Sequence, residues 1–158
     1  MSPYYLDKLY TGTDPVGQIS ELVTAMLNTN VHVYHSAPVF SVMEMECLKV
    51  LGAGFGIPED KLDGILNAGG SASNLSAMLL GRHYHFPHVR DQGWLPEDRP
   101  VAFAPAQCHY STTRSAMIAG IGFDRIIKVP GSAVTGQMDV EALDRAIEEE
   151  IAKGNKPF

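Results

Sequence analysis

The chain has 158 residues, of which 45% are hydrophobic and 19% are charged, and its formal net charge at pH 7 is −6. This composition predicts a folded globular domain with enough apolar material for a core. The negative charge, without any cluster of basic residues, argues against binding to nucleic acid or to an anionic membrane surface and favours a small ligand. The two cysteines make no disulfide framework, and no apolar run resembles a signal peptide or a membrane span. We therefore expect a soluble, cytoplasmic protein.

The N-terminal third is predicted to be mostly helical. Asp14 and Pro15 are typical of an N-cap followed by the first helical residue, and apolar residues then recur at helical spacing as far as Leu27. Residues 31–38 alternate between apolar and polar and end at a proline, which predicts an extended segment. Residues 39–55 are apolar on nearly every side, which predicts a helix buried on most faces.

The remainder alternates between strand and helix patterns, which predicts an α/β fold. Strands are predicted near residues 62–67, 101–104, 125–129 and 156–158, and helices at 70–83, 112–119 and after Asp139. The segment 86–100 is rich in proline and charge and is predicted to be an exposed loop around Trp94.

A glycine and serine turn at residues 69–73 joins one of these predicted strands to a helix. Two glycines allow a tight turn and a close approach to a ligand, while Ser71 and Ser73 could cap the helix and help to bind a phosphate. A capped helix that binds nothing fits the same residues equally well. The turn has neither the lysine of a P-loop nor the spacing of a dinucleotide fingerprint, so a smaller phosphorylated cofactor stays open.

Histidines supply the other candidate sites. His109 follows a predicted strand and could be a base, a partner for an aromatic ring, or a structural residue bonded to the backbone. Cys108 beside it resembles a nucleophile next to its base, although adjacent residues seldom face each other. His83, His85 and His88 invite a metal, but the first two point to different sides of a helix and a proline precedes the third, so no metal site is expected.

Four motifs together resemble the group II pyridoxal-phosphate decarboxylases, in particular glutamate and cysteine-sulfinate decarboxylases. They are Asn28-Thr29-Asn30, Ala37-Pro38-Val39-Phe40 with Met43-Glu44, Gly69-Gly70-Ser71-Ala72-Ser73-Asn74, and Gln107-Cys108-His109-Tyr110-Ser111. The resemblance implies an α/β fold-type-I transferase large domain, with a mostly parallel sheet and flanking helices. It also implies a homodimer with the active site at the subunit interface. The implied reaction is the decarboxylation of an amino acid, with pyridoxal 5′-phosphate as the cofactor.

The resemblance also implies roles for individual residues. Gly70, Ala72 and Ser73 match the cradle that holds the cofactor phosphate, and His109 matches the histidine that stacks on the pyridine ring. Phe40 matches a segment near the substrate pocket. Glutamate decarboxylases have a substrate-binding glutamine where this sequence has Lys8, which could still pair with an acidic substrate.

Two family features lie beyond the matched motifs. In the family, the lysine that forms the Schiff base with the cofactor follows a histidine. The aspartate that holds the pyridine nitrogen belongs to an Asp-Ala-x-x-Gly-Gly motif. This sequence contains neither pattern. We therefore expect residues 1–158 to form part of the cofactor-binding large domain, without the C-terminal part of that domain and without the small domain. We expect this chain to be inactive alone and prone to aggregate. The alternative is a non-catalytic truncated relic or partner-binding fragment that retains the cradle.

Overall fold

The computed structural model describes Tyr4 and residues 12–158. The chain divides into two compact units, Met1–Leu66 and Asn67–Phe158, which we describe separately. None of the helices in the described part of the chain combines the length and apolar character needed to cross a membrane.

The first unit contains two long helices. Helix α1 spans Pro15–Leu27, and as predicted its N-cap is Asp14, whose carboxylate accepts a 2.8 Å hydrogen bond from the Gly17 N–H. Asn28 ends the helix in the left-handed conformation, with φ of 45°. Helix α2 spans Pro38–Gly54 and also begins at a proline.

Three predictions for this unit are wrong. Residues 31–36 form turns and a bend instead of an extended segment, and residues 62–67 form no strand. The Leu66 N–H donates instead to the Glu44 carboxylate at 3.0 Å. Helix α2, predicted to be buried on most faces, buries only Gly52. A parallel strand requires a paired neighbour and an apolar helix requires a covering layer, and the described part of this unit supplies neither to these segments.

The second unit is built on a three-stranded parallel sheet, which agrees with the predicted α/β class. Strand β1 (Pro100–Pro105) lies between β2 (Ile126–Val129) and β3 (Lys156–Pro157). Ala102 pairs with Ile126, and Val101 pairs with Pro157. The edge strand β3 is short, but the hydrogen bond from the Phe158 N–H to the Val101 carbonyl extends its pairing by one residue.

Helices cover this sheet and complete its core. They are α3 (Gly70–His85), α4 (Val89–Gln92), α5 (Ser111–Ile118) and α6 (Val140–Ala152). Small residues dominate the centre, where Ala104, Ala116 and Ala119 are at most 3% exposed. The small size of these side chains permits close packing between α5 and the sheet. Met78 and Leu79 of α3 pack against this cluster.

The segment 86–100 is folded onto the core and is not the exposed loop that its composition predicts. Phe86, Val89 and Asp98 are buried, and the Trp94 indole donates to the Ala119 carbonyl at 3.3 Å. The Asp98 carboxylate accepts hydrogen bonds from the Leu95 N–H and from His88. Burial, the largest single effect, opposes ionisation of this carboxyl, but the two hydrogen bonds together with charge interactions with His88 and Lys156 hold the pKa of Asp98 below its ordinary value.

A buried carboxylate secures the end of α6. Glu150 is 7% exposed, accepts a hydrogen bond from Lys153 at 2.6 Å, and accepts a second from the Asn155 amide. Asn155 in turn accepts from the Arg125 guanidinium at 3.2 Å, which joins this helix end to the start of β2. The hydrogen bonds from Lys153 and Asn155 hold the pKa of Glu150 below its ordinary value of 4.5, against the opposing effect of burial.

We predict that Glu150→Gln lowers the free energy of unfolding by about 1–2 kcal/mol at neutral pH, because a charged acceptor is lost. Since the folded state lowers this pKa, the contribution is present above 4.5 and is lost as the pH falls through the folded-state value. The difference between wild type and variant should therefore shrink in acid. Urea unfolding followed by the fluorescence of Trp94 measures it. Glu148→Gln, at an exposed position on the same helix, is the control, and an equal effect of both variants would contradict the prediction.

We also predict that the chain self-associates through the apolar side of α1. No residue of this helix is buried, and Ile19 is 63% exposed. Ile19→Glu should weaken association at least about tenfold, because burying a charge opposes the contact. Sedimentation velocity measures the change. Gln18→Glu adds the same charge at a polar position of α1, and if it reduces association equally, the apolar side is not responsible.

Candidate functional site

The glycine and serine turn forms the start of helix α3. The N-cap is Gly69, with φ of 95°, and no side chain caps the helix. The expectation that Ser71 or Ser73 caps it is therefore wrong, because the helix starts at Gly70, before either serine. The φ of Gly69 lies in the left-handed region, where a side chain would be strained.

The backbone donors of this turn fall into two groups. The N–H groups of Ala72 and Ser73 both donate to the Gly69 carbonyl, at 3.1 and 3.2 Å, and the Ser73 hydroxyl donates to the same oxygen at 3.3 Å. Gly70 and Ser71 occupy the first two helical positions, where an N–H group has no acceptor within the helix. A Cβ atom built on Gly69 or Gly70 would meet no atom within 4 Å. The Gly70 and Ser71 N–H groups therefore have no acceptor within the helix, and the space beside both glycines is open among the described residues, which is an arrangement suited to an anion at a helix N-terminus.

His109 lies between the end of β1 and the start of α5. Its Nδ1 atom is 2.7 Å from the Ser111 hydroxyl and accepts a 3.2 Å hydrogen bond from the Ser111 N–H. Ser111 is only 1% exposed, and its hydroxyl also accepts from the Asn74 amide at 2.7 Å. Because Asn74 is in α3 and Ser111 begins α5, these contacts place the N-terminal turns of both helices together. Their partial positive charges therefore reinforce each other.

Aromatic and cationic groups extend from His109. The ring of Tyr110 lies 4.2 Å from the His109 ring between centroids, tilted by 40°, and the Arg114 guanidinium lies 4.7 Å from the Tyr110 centroid. His109 itself is exposed. The site therefore combines an open anion cradle with an accessible flat ring on adjoining elements, which suits a phosphorylated aromatic compound.

The other histidine and cysteine candidates have different partners. The sulfur of Cys108 accepts a hydrogen bond from the Lys128 amine at 2.7 Å, so it is not paired with His109. His88 bonds to Asp98 at 2.9 Å, and the ring of His85 packs against Phe158. Within residues 12–158 and Tyr4, no three histidine, cysteine or acidic side chains come together as a metal site would require.

The two predicted substrate-pocket residues have different outcomes. Lys8 lies outside the described residues, and its role stays a prediction. Phe40 is in the first unit, on the first turn of α2, and is 48% exposed. It lines a cavity of about 380 Å³, together with Val31, Met43, Glu44, Cys47 and Leu66. The cavity is mostly apolar, and Glu44 is the acidic group on its wall.

Asn74 and Ser111 were not predicted as site residues. Both occur within the motifs that carry the family resemblance, but nothing in the spacing of residues 74 and 111 indicates that their side chains meet. That contact depends on how α3 and α5 pack on the sheet. A polar residue one turn after a glycine-rich helix start is the signal that could have suggested a role for Asn74.

Comparison with known proteins shows which family the chain resembles. The sequence model described as the pyridoxal-dependent decarboxylase conserved domain matches residues 1–158. The chain is 40% identical over 162 residues to glutamate decarboxylase of Drosophila melanogaster, covering 99% of this chain and 30% of that protein. It is 37% identical over 154 residues to an L-aspartate decarboxylase of Metarhizium robertsii, covering 98% and 30% respectively.

A solved structure has a similar fold. The crystal structure of mouse CSAD superposes with a TM-score of 0.88 at 36% identity, covering 98% of this chain and 32% of that one. Our chain thus spans about 30% of the length of the curated relatives it matches. Because the match extends over the whole chain, and because the sheet and helices superpose on such an enzyme, the chain belongs to the pyridoxal-dependent decarboxylase family, whose cofactor is pyridoxal phosphate.

Proposed function

We propose that this chain supplies the phosphate-holding and ring-stacking part of the cofactor site of an acidic amino-acid decarboxylase. The observation that supports this most directly is the cradle at Gly69–Ser71 joined to His109 through Asn74 and Ser111. This combination fits pyridoxal phosphate, which carries a phosphate group on an aromatic ring.

The proposed contacts follow from the groups left available. The N–H groups of Gly70 and Ser71 would bind the phosphate, and the Ser73 hydroxyl, at 3.3 Å from its present acceptor, could turn to join them. Ala72 keeps the helix start in place through its bond to the Gly69 carbonyl. The His109 ring would lie against the pyridine ring. When bound, pyridoxal phosphate takes up the electron pair that remains on the α-carbon after the carboxylate leaves as CO2.

The substrate is proposed to be glutamate, aspartate or cysteine sulfinate. Similar proteins named for glutamate, L-aspartate and cysteine sulfinic acid support this choice. Lys8 is proposed to pair with the acidic side chain, and Phe40 to contribute an apolar surface to the pocket. Expressing the complete coding region and measuring CO2 release from these three substrates tests the proposal, and activity on none of them would contradict it.

The proposal also covers the localisation of the whole protein, its oligomeric state and the position of its Schiff-base lysine. We propose that it acts as a cytoplasmic homodimer and that the Schiff-base lysine lies outside residues 1–158. The six lysines of this chain do not follow a histidine, which supports that last point. The alternative function is a non-catalytic product that retains the cradle but has lost activity. A His-Lys pair encoded after Phe158 would favour the enzyme, and a stop codon there would favour the relic.

We predict that the 158-residue chain binds the cofactor without decarboxylating any of the three substrates. Release of labelled CO2 should stay at the level of free pyridoxal phosphate, because no lysine of the family motif is present to hold the cofactor covalently. Release that exceeds this level, in proportion to protein concentration, would contradict the proposal that the Schiff-base lysine lies outside residues 1–158.

Gly70→Ala should separate stability from cofactor binding. A Cβ atom at this position meets no protein atom, and its backbone is helical, so the folded chain should be unchanged or stabilised by up to about 1 kcal/mol. The added methyl group would occupy space proposed for the phosphate. We expect at least a roughly tenfold loss of affinity.

Calorimetric titration with pyridoxine 5′-phosphate measures this affinity, because that ligand lacks the aldehyde that reacts with surface lysines. Pyridoxine without phosphate is the ligand control. Gly54→Ala is the matched protein control, since its Cβ atom also meets no atom within 4 Å. Equal affinity of wild type and Gly70→Ala would place the phosphate elsewhere.

A further inference from the structure

We propose that Asn74 and Ser111 are positioning residues that fix the tautomer and orientation of the His109 ring. They would thereby couple the helix that holds the phosphate to the ring that stacks on the cofactor. The part of this inference that concerns the cofactor rests on the proposed function. The hydrogen-bond relay itself is a property of the protein without ligand.

The Ser111 backbone determines which nitrogen of His109 carries the hydrogen. Its N–H group lies 3.2 Å from Nδ1 and can only donate. Nδ1 must therefore be a bare acceptor, and in the neutral ring the hydrogen belongs on Nε2. The Ser111 hydroxyl, 2.7 Å from the same nitrogen, must then also act as a donor. The backbone contact thus selects the tautomer, and the hydroxyl contact is compatible with it.

Asn74 sets the direction of the hydroxyl. Because the Ser111 hydrogen is directed to His109, the Ser111 oxygen has only acceptor positions left. The Asn74 amide fills one of them from 2.7 Å with its nitrogen. The relay therefore runs in one direction, from Asn74 through Ser111 to Nδ1 of His109. It leaves the Nε2–H group as the donor that His109 can offer at the site.

The position of Asn74 gives the relay its link to the phosphate. Asn74 follows Gly70 by four residues, so it lies one turn into the helix whose first N–H groups form the cradle. Ser111 is the first residue of α5 and is buried, which leaves it little freedom to rotate away. A shift of α3 when the cradle is filled would therefore act on the Ser111 hydroxyl and on the His109 ring.

Nitrogen NMR of the labelled chain tests the relay directly. Long-range proton–nitrogen correlations distinguish a bare ring nitrogen from a protonated one, and His109→Gln identifies the signals of this ring. At alkaline pH, where neutral rings dominate, wild type should show the Nε2–H tautomer. Ser111→Ala removes the hydroxyl donor but keeps the backbone N–H, so it should lower the ratio of Nε2–H to Nδ1–H by roughly twofold to fivefold while Nε2–H stays the major form. Ser115→Ala, at a serine of α5 that is 2% exposed, should leave the ratio unchanged.

Asn74→Asp provides a variant that does not disturb the buried core, because Asn74 is exposed. The aspartate can only accept, so the Ser111 hydrogen should turn towards it, and the Ser111 oxygen should then favour a hydrogen on Nδ1. We expect the Nδ1–H share to increase, whereas Asn74→Ala should give a smaller change. If Asn74→Asp and Ser111→Ala both have the wild-type ratio, the proposal is wrong. If Ser111→Ala does not fold, Asn74→Asp decides alone.

Titration with pyridoxine 5′-phosphate separates this inference from the proposed function. Asn74→Ala should bind several-fold more weakly than wild type, with Ser115→Ala unchanged. If wild type itself does not bind, the proposed function and the coupling to a cofactor both fail, whatever the tautomer. If wild type binds and Asn74→Ala binds equally well, the coupling fails while the proposed function stands.

Discussion

The parallel pairing of β1 with its two neighbours is the constraint on which the candidate site depends. This strand lies at the centre of the sheet, and Val101, Ala102 and Ala104 on it are nearly inaccessible to solvent. Its carboxyl end leads into the segment that carries His109. In parallel α/β sheets this edge is where ligands bind, because loops and helix N-termini converge there. The register of β1 with its neighbours therefore determines the position of the segment that carries His109.

A second constraint joins the two helices at this edge. Helix α3 reaches the cradle from one part of the sequence, and α5 follows directly from His109. The Arg82 guanidinium donates to the Ala119 carbonyl at 2.9 Å near the far ends of these helices, and Asn74 donates to Ser111 near their beginnings. Hydrogen bonds at both ends, with alanine packing between them, hold the cradle and the histidine as parts of one rigid arrangement.

The sequence allowed the local features of the second unit to be predicted, because they depend on short-range chemistry. The cap at Asp139 and the strands after Pro100 and Arg125 fall close to where residue patterns place them. Trp94 shows where such reasoning fails. Its surroundings are polar and rich in proline, yet its indole bonds to Ala119, which lies 25 residues further along the chain. The Asn74 contact with Ser111 is equally non-local, so no periodicity could indicate it.

In the first unit the apolar pattern predicts helices α1 and α2 correctly, but it does not predict their burial. Periodicity shows that a surface of α2 needs covering, but it does not show which segment covers it. Val39 and Val50 remain 67% and 73% exposed, and the predicted strand at 62–67 has no partner in the described part of this unit. Hydrophobic patterning thus indicates which surface of a helix is covered in the folded protein, but not what covers it. The described part of this unit does not supply the covering surface that the pattern of α2 indicates.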